Sequence, residues 1–142
     1  MADRVETGGP VVLEVLTPAR RVLRDAVEAV VVPGRQGLLG VLPRHSPMLV
    51  ILRAGVVLFR REGRKERLAV SGGVCQVLED RVLVLADAAE LAQDIDVLRA
   101  RAARDRALAR LRSRSAQVDE ARARAAFERA AARLRAAGAD KS

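Results

Sequence analysis

The sequence predicts a β + α protein, an N-terminal antiparallel β-sandwich followed by a C-terminal antiparallel two-helix hairpin. Three observations predict it. All five prolines lie before residue 48 and nine of the ten glycines before residue 74, so the turn-forming residues run out midway along the 142-residue chain. Apolar residues recur at period two before that point and at helical spacing after it. The net charge of +8 is also divided: residues 1–94 carry 13 Lys/Arg against 12 Asp/Glu, and residues 95–142 carry 13 against 6. Two architectures are implied, with a boundary placed at 1–91 and 92–142.

In the first part Val11, Leu13 and Val15 alternate inward. Short β-branched or apolar runs follow at Val27–Val32, Leu38–Leu42, Met48–Leu52, Val56–Phe59, Leu68–Val70, Val74–Leu78 and Val82–Ala86. Turn residues separate them: Pro33-Gly34, Pro43 to Pro47, Ala54-Gly55, Glu62-Gly63-Arg64 and Glu79-Asp80. Many short strands without an intervening helix favour a sandwich or barrel. With only Phe59 and Phe127 as aromatics, its core must be aliphatic.

In the second part Ala100, Ala103, Ala107 and Leu111 form one helical stripe, with Asp94 or Asp96 available to cap its start. Ser113-Arg114-Ser115 interrupts the pattern. A second helix is expected from about Asp119 to Ala137, ending at Gly138, with a stripe of Ala123, Ala126, Phe127, Ala130 and Leu134. Alanine stripes let helices approach closely but bury little area, and at ~25 cal/mol per Å² the hairpin is weakly held. It reads as a conditional structure.

No catalytic or metal-binding pattern is present, and no phosphate loop or nucleophile elbow. The lone His45, in a Pro-flanked loop, reads as structural, and Cys75, in an expected strand, as buried and inert. One cysteine fits a reducing compartment. No N-terminal run reads as a signal peptide, and no stretch approaches the ~18–20 apolar residues of a membrane span, so a soluble, cytoplasmic protein is expected. Ser71-Gly72-Gly73 reads as a tight turn or close backbone approach. On the second helix Arg122, Arg129 and Arg133 share a face, as do Arg99 and Arg106 on the first. Such runs are usually solvated, but packed helices could gather them into a cluster suited to a polyphosphate.

Taken in order, these features resemble the epsilon subunit of bacterial rotary, proton-translocating ATP synthases. The resemblance rests on Gly37-Leu38-Leu39-Gly40-Val41-Leu42-Pro43-Arg44-His45-Ser46-Pro47, Ser71-Gly72-Gly73-Val74, Val82-Leu83-Val84-Leu85-Ala86-Asp87 and Ile95-Asp96-Val97-Leu98-Arg99-Ala100. Leu38 stands where that family commonly has an acidic residue, Arg44 where it commonly has glycine, and Gln76 where glutamate is frequent.

The resemblance implies a non-catalytic rotor subunit. Its sandwich would clamp the gamma subunit and rest on the ring of c subunits, at the cytoplasmic face of the plasma membrane, with no membrane contact except through the complex. Its hairpin would fold on the sandwich or extend toward the alpha/beta catalytic subunits and block ATP hydrolysis. Similarity to the Bacillus-like branch implies ATP as a regulatory ligand, with no cofactor required, and places Glu90, Ile95, Asp96, Arg99, Ala100, Arg106, Arg129 and Arg133 on its binding positions. Two other readings stay open: the same subunit without ATP sensing, or a basic nucleic-acid-binding module. The second is weakened by the absence of Tyr and Trp, which leaves no stacking platform.

Overall fold

The structure is a computed structural model and describes residues 9–139. Eight strands come first: β1 (Val11–Leu16), β2 (Arg21–Val27), β3 (Ala29–Gly34), β4 (Gly37–Val41), β5 (Met48–Arg61), β6 (Arg64–Leu78), β7 (Arg81–Ala86) and β8 (Ala89–Leu91). A single 3-10 turn (Ala92–Asp94) leads into α1 (Val97–Ser113) and α2 (Glu120–Ala136). The strands form one hydrogen-bonded path, β2-β1-β7-β6-β5-β3-β4, with β8 paired to β6, folded into a sandwich around a common core.

The alternation expected for β1 is present, with Val11, Leu13 and Val15 fully buried. All pairings are antiparallel except one. β1 and β7 run parallel, from Val12↔Arg81 to Leu16↔Leu85. These two strands are separated by most of the domain, so no short turn dictates their relative direction.

The turn expected at Ala54-Gly55 is absent, and at Ser71-Gly72-Gly73 the close backbone approach is found in place of a turn. Ala54-Gly55 lies inside β5, and Ser71-Gly72-Gly73 inside β6, so four expected strands merge into two long ones paired from Met48↔Val77 to Arg61↔Arg64. Both strands change their inward face near these residues. On β5, Leu52 is in the core on one side and Val57 and Phe59 on the other parity; on β6, Leu68 and Val70 give way to Cys75 and Val77. Glycine permits this passage. Gly73 has φ +141°, and a Cβ there would collide with the Leu85 carbonyl oxygen at 2.0 Å. At Gly55 a Cβ would lie 2.7 Å from the Pro33 ring. Pro33-Gly34 likewise ends β3 instead of turning; the chain reverses at residues 35–36. The Val27–Val32 run is broken at Glu28 between β2 and β3.

The helices follow the expected limits closely. Asp96 caps α1, its Oδ1 accepting from the Arg99 N–H at 3.1 Å, and Asp119 caps α2, accepting from Arg122 at 3.1 Å. Arg114 takes a left-handed conformation, φ 54°, where α1 stops. Residues 114–119 turn the chain back so that α2 packs along α1 and, on its other side, against β5 and β6. That second contact explains why the buried face of α2 is shifted from its expected stripe: Ala131, Ala132 and Ala136 are buried along with Ala123, Ala130 and Leu134, while Ala126 and Phe127 are only half-buried. It also explains Leu68-Ala69-Val70, buried three in a row because β6 is covered on both faces.

Candidate ligand site at the seam between sandwich and hairpin

Each residue implied as a ligand contact can be placed. β8 is short, but it is firmly held. It pairs with β6 through Leu68↔Leu91, Ala69↔Glu90 and Val70↔Ala89. Just before it, the Ser71 hydroxyl accepts from the Ala88 N–H at 2.9 Å and donates to the Ala88 carbonyl at 3.3 Å, while the Ser71 N–H reaches the same carbonyl at 3.1 Å. Glu90 is thereby aimed at α2, where its Oε1 accepts from Arg133 Nε at 2.7 Å. Arg129, one turn earlier on α2, lines the same cleft with Ala69, Val70, Ser71, Ala88 and Ala89. Glu90, Arg129 and Arg133 therefore meet.

The other implied residues do not join them. Ile95 is buried with Ala69 and Ala136, tying the start of the hairpin to its end. Ala100 is buried on α1, the helix that packs along α2. Asp96 is committed through one oxygen to its cap. Arg99 and Arg106 are exposed, and no hydrogen bond or ion pair of their side chains with Glu90, Arg129 or Arg133 is formed. The expected cluster of mutually repelling arginines is thus only partly assembled, and Glu90 already neutralises one member. The cleft between them encloses about 10 Å³, room for roughly one water molecule. Further along the hairpin, Arg110, Arg122 and Arg129 line an open hollow of about 530 Å³ between the helices. Arg110 carried no sequence signal beyond its place one turn after Arg106.

Elsewhere, His45 Nδ1 lies 2.8 Å from the Ser46 carbonyl. Arg44 adopts φ 66°, a left-handed conformation that glycine takes without strain, and its N–H donates to Asp80 Oδ1 at 2.5 Å. Exposed apolar side chains gather at Leu38, Met48, Leu49 and Ile51 on β4 and β5, with Leu42 just beyond β4. Among the described residues no group of three or more His, Cys, Asp or Glu could hold a metal, and no helix is long and apolar enough to cross a membrane.

The fold is a β-sandwich carrying a two-helix hairpin, with a polar cleft at the seam between them. The family models match in that order: the ATP synthase delta/epsilon chain β-sandwich domain over residues 11–92 and the delta/epsilon long α-helix domain over residues 93–138. The chain belongs to the ATP synthase delta/epsilon chain family, on the epsilon side, as a non-catalytic subunit of the ATP synthase complex. It is 55% identical over 105 residues to the ATP synthase epsilon chain of Symbiobacterium thermophilum, covering 73% of this chain and 76% of that one. It is 54% identical over 103 residues to the epsilon chain of Moorella thermoacetica (72% and 77%) and 44% identical over 115 residues to that of Carboxydothermus hydrogenoformans (81% and 81%). In fold it is similar to a chain of the Euglena gracilis mitochondrial ATP synthase F1/c-ring structure, with TM-score 0.77 and 23% identity over 96% of this chain and 85% of that one. A chain of the Tetrahymena thermophila mitochondrial ATP synthase central stalk and c-ring gives TM-score 0.57 at 11% identity, over 92% and 98%.

Proposed function

We propose that this epsilon-type subunit couples the catalytic sector to the membrane ring through gamma and the c subunits, restrains ATP hydrolysis with its hairpin, and binds ATP as a regulatory ligand when the hairpin is folded. It works at the cytoplasmic face of the plasma membrane, in a complex that moves protons. The observation that carries the nucleotide reading is the convergence of Glu90, Arg129 and Arg133 at the seam between sandwich and hairpin. A ligand that touches both parts stabilises the folded arrangement by its differential affinity for it. Guanidinium groups on α2 supply charge-assisted hydrogen bonds to phosphate oxygens. The cleft holds too little space for a nucleotide as it stands, so ATP has to draw Arg133 from Glu90 or lie over the exposed faces that carry Arg99 and Arg106.

The test is calorimetry of ATP with the full chain. Arg129→Ala should weaken binding about ten- to a hundredfold, the cost of one hydrogen bond to a charged group. Asp96, near the start of α1, can accept a hydrogen bond from the adenine amino group, so Asp96→Ala should blunt the preference for adenine over guanine. Absence of ATP binding by the parent at millimolar ligand would leave the hairpin as a mechanical arm. The inhibitory role has its own measurement: deleting the residues after Leu91 should raise ATP hydrolysis by the assembled synthase without loss of assembly. Unchanged hydrolysis would remove that role.

A further inference from the structure

The helix–sandwich interface is apolar and built from few groups: Ala69 on β6, Ile95, and Ala136 at the end of α2, flanked by Val56 and Ala137. Such a surface is non-directional and contributes modestly per residue. It does not by itself fix where α2 sits. The polar contact that does so is Glu90 with Arg133. Among the described residues, the ion pairs Arg21–Glu14, Arg61–Asp25, Arg61–Glu66, Arg104–Asp105 and Arg124–Glu120 each lie within the sandwich or within one helix. Glu90–Arg133 crosses from β8 to α2 at 2.7 Å, with both side chains about one-third exposed.

We infer that Glu90 and Arg133 form a latch that holds α2 on the sandwich when no ligand is bound. The two halves differ in stiffness. Glu90 sits on a strand pinned by three ladder pairs and by Ser71. Arg133 moves with the helix and lies in its last turn, where a positive charge is favoured by the helix dipole. Glu90 supplies to Arg133 the negative charge that an anion would otherwise bring. The folded hairpin therefore does not wait for a ligand to neutralise it, and any anion that engages Arg133 competes with an internal carboxylate.

The inference goes beyond the nucleotide reading and does not depend on it, because its test contains no nucleotide. Hydrogen exchange is followed in the full chain for the α2 amides, with the β5–β6 amides as internal reference. Glu90→Gln and Arg133→Gln should each speed α2 exchange about five- to tenfold, an intermediate value for a charge-assisted pair that is about one-third exposed. The exchanged pair, Glu90→Arg with Arg133→Glu, should recover most of the lost protection. Unchanged α2 exchange in the single variants overturns the latch, as does a double variant no better protected than either single. Should Glu90→Gln also strip protection from β5, Arg133→Gln decides, because its change lies outside the sandwich.

Discussion

The sandwich and the hairpin bury similar kinds of atoms by different means. The sandwich core is valine and leucine around Phe59, each side chain enclosed by strands whose backbone hydrogen bonds also fix register. The hairpin is held mostly through alanine, in which each buried side chain is a single methyl, with Ile95 and Leu134 as its larger buried side chains. A buried methyl contributes roughly 0.8 kcal/mol, against about 1.5–3 kcal/mol for a valine, leucine or phenylalanine side chain. Cooperativity follows the same division. Losing one sandwich side chain weakens a connected ladder, whereas losing one hairpin side chain frees a helix from a surface. The difference teaches that the sandwich is the more firmly held part and the hairpin the part that a smaller loss of contact would release.

The largest effect should come from Phe59→Ala, at about 3–5 kcal/mol for a buried aromatic truncated to alanine. Phe59 is almost wholly buried, and Arg61 lies over its ring at 5.7 Å to the centroid. Chemical denaturation should show the whole sandwich shifting together. A loss confined to one strand would contradict the picture of a single cooperative unit. Leu134→Ala should cost less, about 2–3 kcal/mol, and should act differently. Trypsin should cut the arginine-rich helices faster while the denaturation midpoint of the sandwich stays in place. Movement of both transitions by equal amounts would mean that the two regions unfold as one.

The division into regions was legible because it is written in composition: proline and glycine stop, and alanine and arginine take over. The helix ends were legible because Asp96 and Asp119 are caps whose chemistry is local. What could not be read was long-range. Period two breaks at Ala54-Gly55 and at Ser71-Gly72-Gly73, and a broken period looks like a turn between strands. In the structure it marks a change of inward face within a continuous strand. β8 is too short for any period to show. The parallel β1–β7 pairing is a consequence of how the ladder closes, which no local residue announces. Of the implied ligand residues, Glu90 with Arg133 came together because β8 and α2 happen to meet. No spacing in the sequence could distinguish Arg133, paired, from Arg106, exposed.

Smaller effects sharpen the contrast at the helix ends. Asp119→Ala removes the acceptor for the Arg122 N–H and should cost about 1 kcal/mol of α2 stability. Because α2 is also the helix that rests on β5 and β6, amide exchange should rise from its first turn onward. Asp96→Ala removes the corresponding cap from α1, which packs mainly on α2, so its effect should stay within α1. Equal spread from both caps would mean that α1 has sandwich contacts as important as those of α2.

The smallest expected effect is a rate that hairpin release should leave untouched. Cys75 is fully buried in the sandwich core, paired in register with Val50 on β5 and Val84 on β7. Burial pushes its thiol from the ordinary 9.0 up to about 11, because the thiolate is poorly solvated there. At pH 8 the group is therefore both enclosed and protonated, and an alkylating reagent can reach it only when the sandwich opens. A raised folded-state value also means that this part of the folded state's stability is intact below pH 9 and is lost as the pH climbs toward about 11. The helix-bearing surface of β6 is at Ala69, six residues before Cys75, so a released α2 does not uncover the thiol. Alkylation should accordingly run at the parent rate in Leu134→Ala and faster in Phe59→Ala. A Leu134→Ala protein that reacts as fast as Phe59→Ala would show that the sandwich loosens whenever the hairpin leaves it.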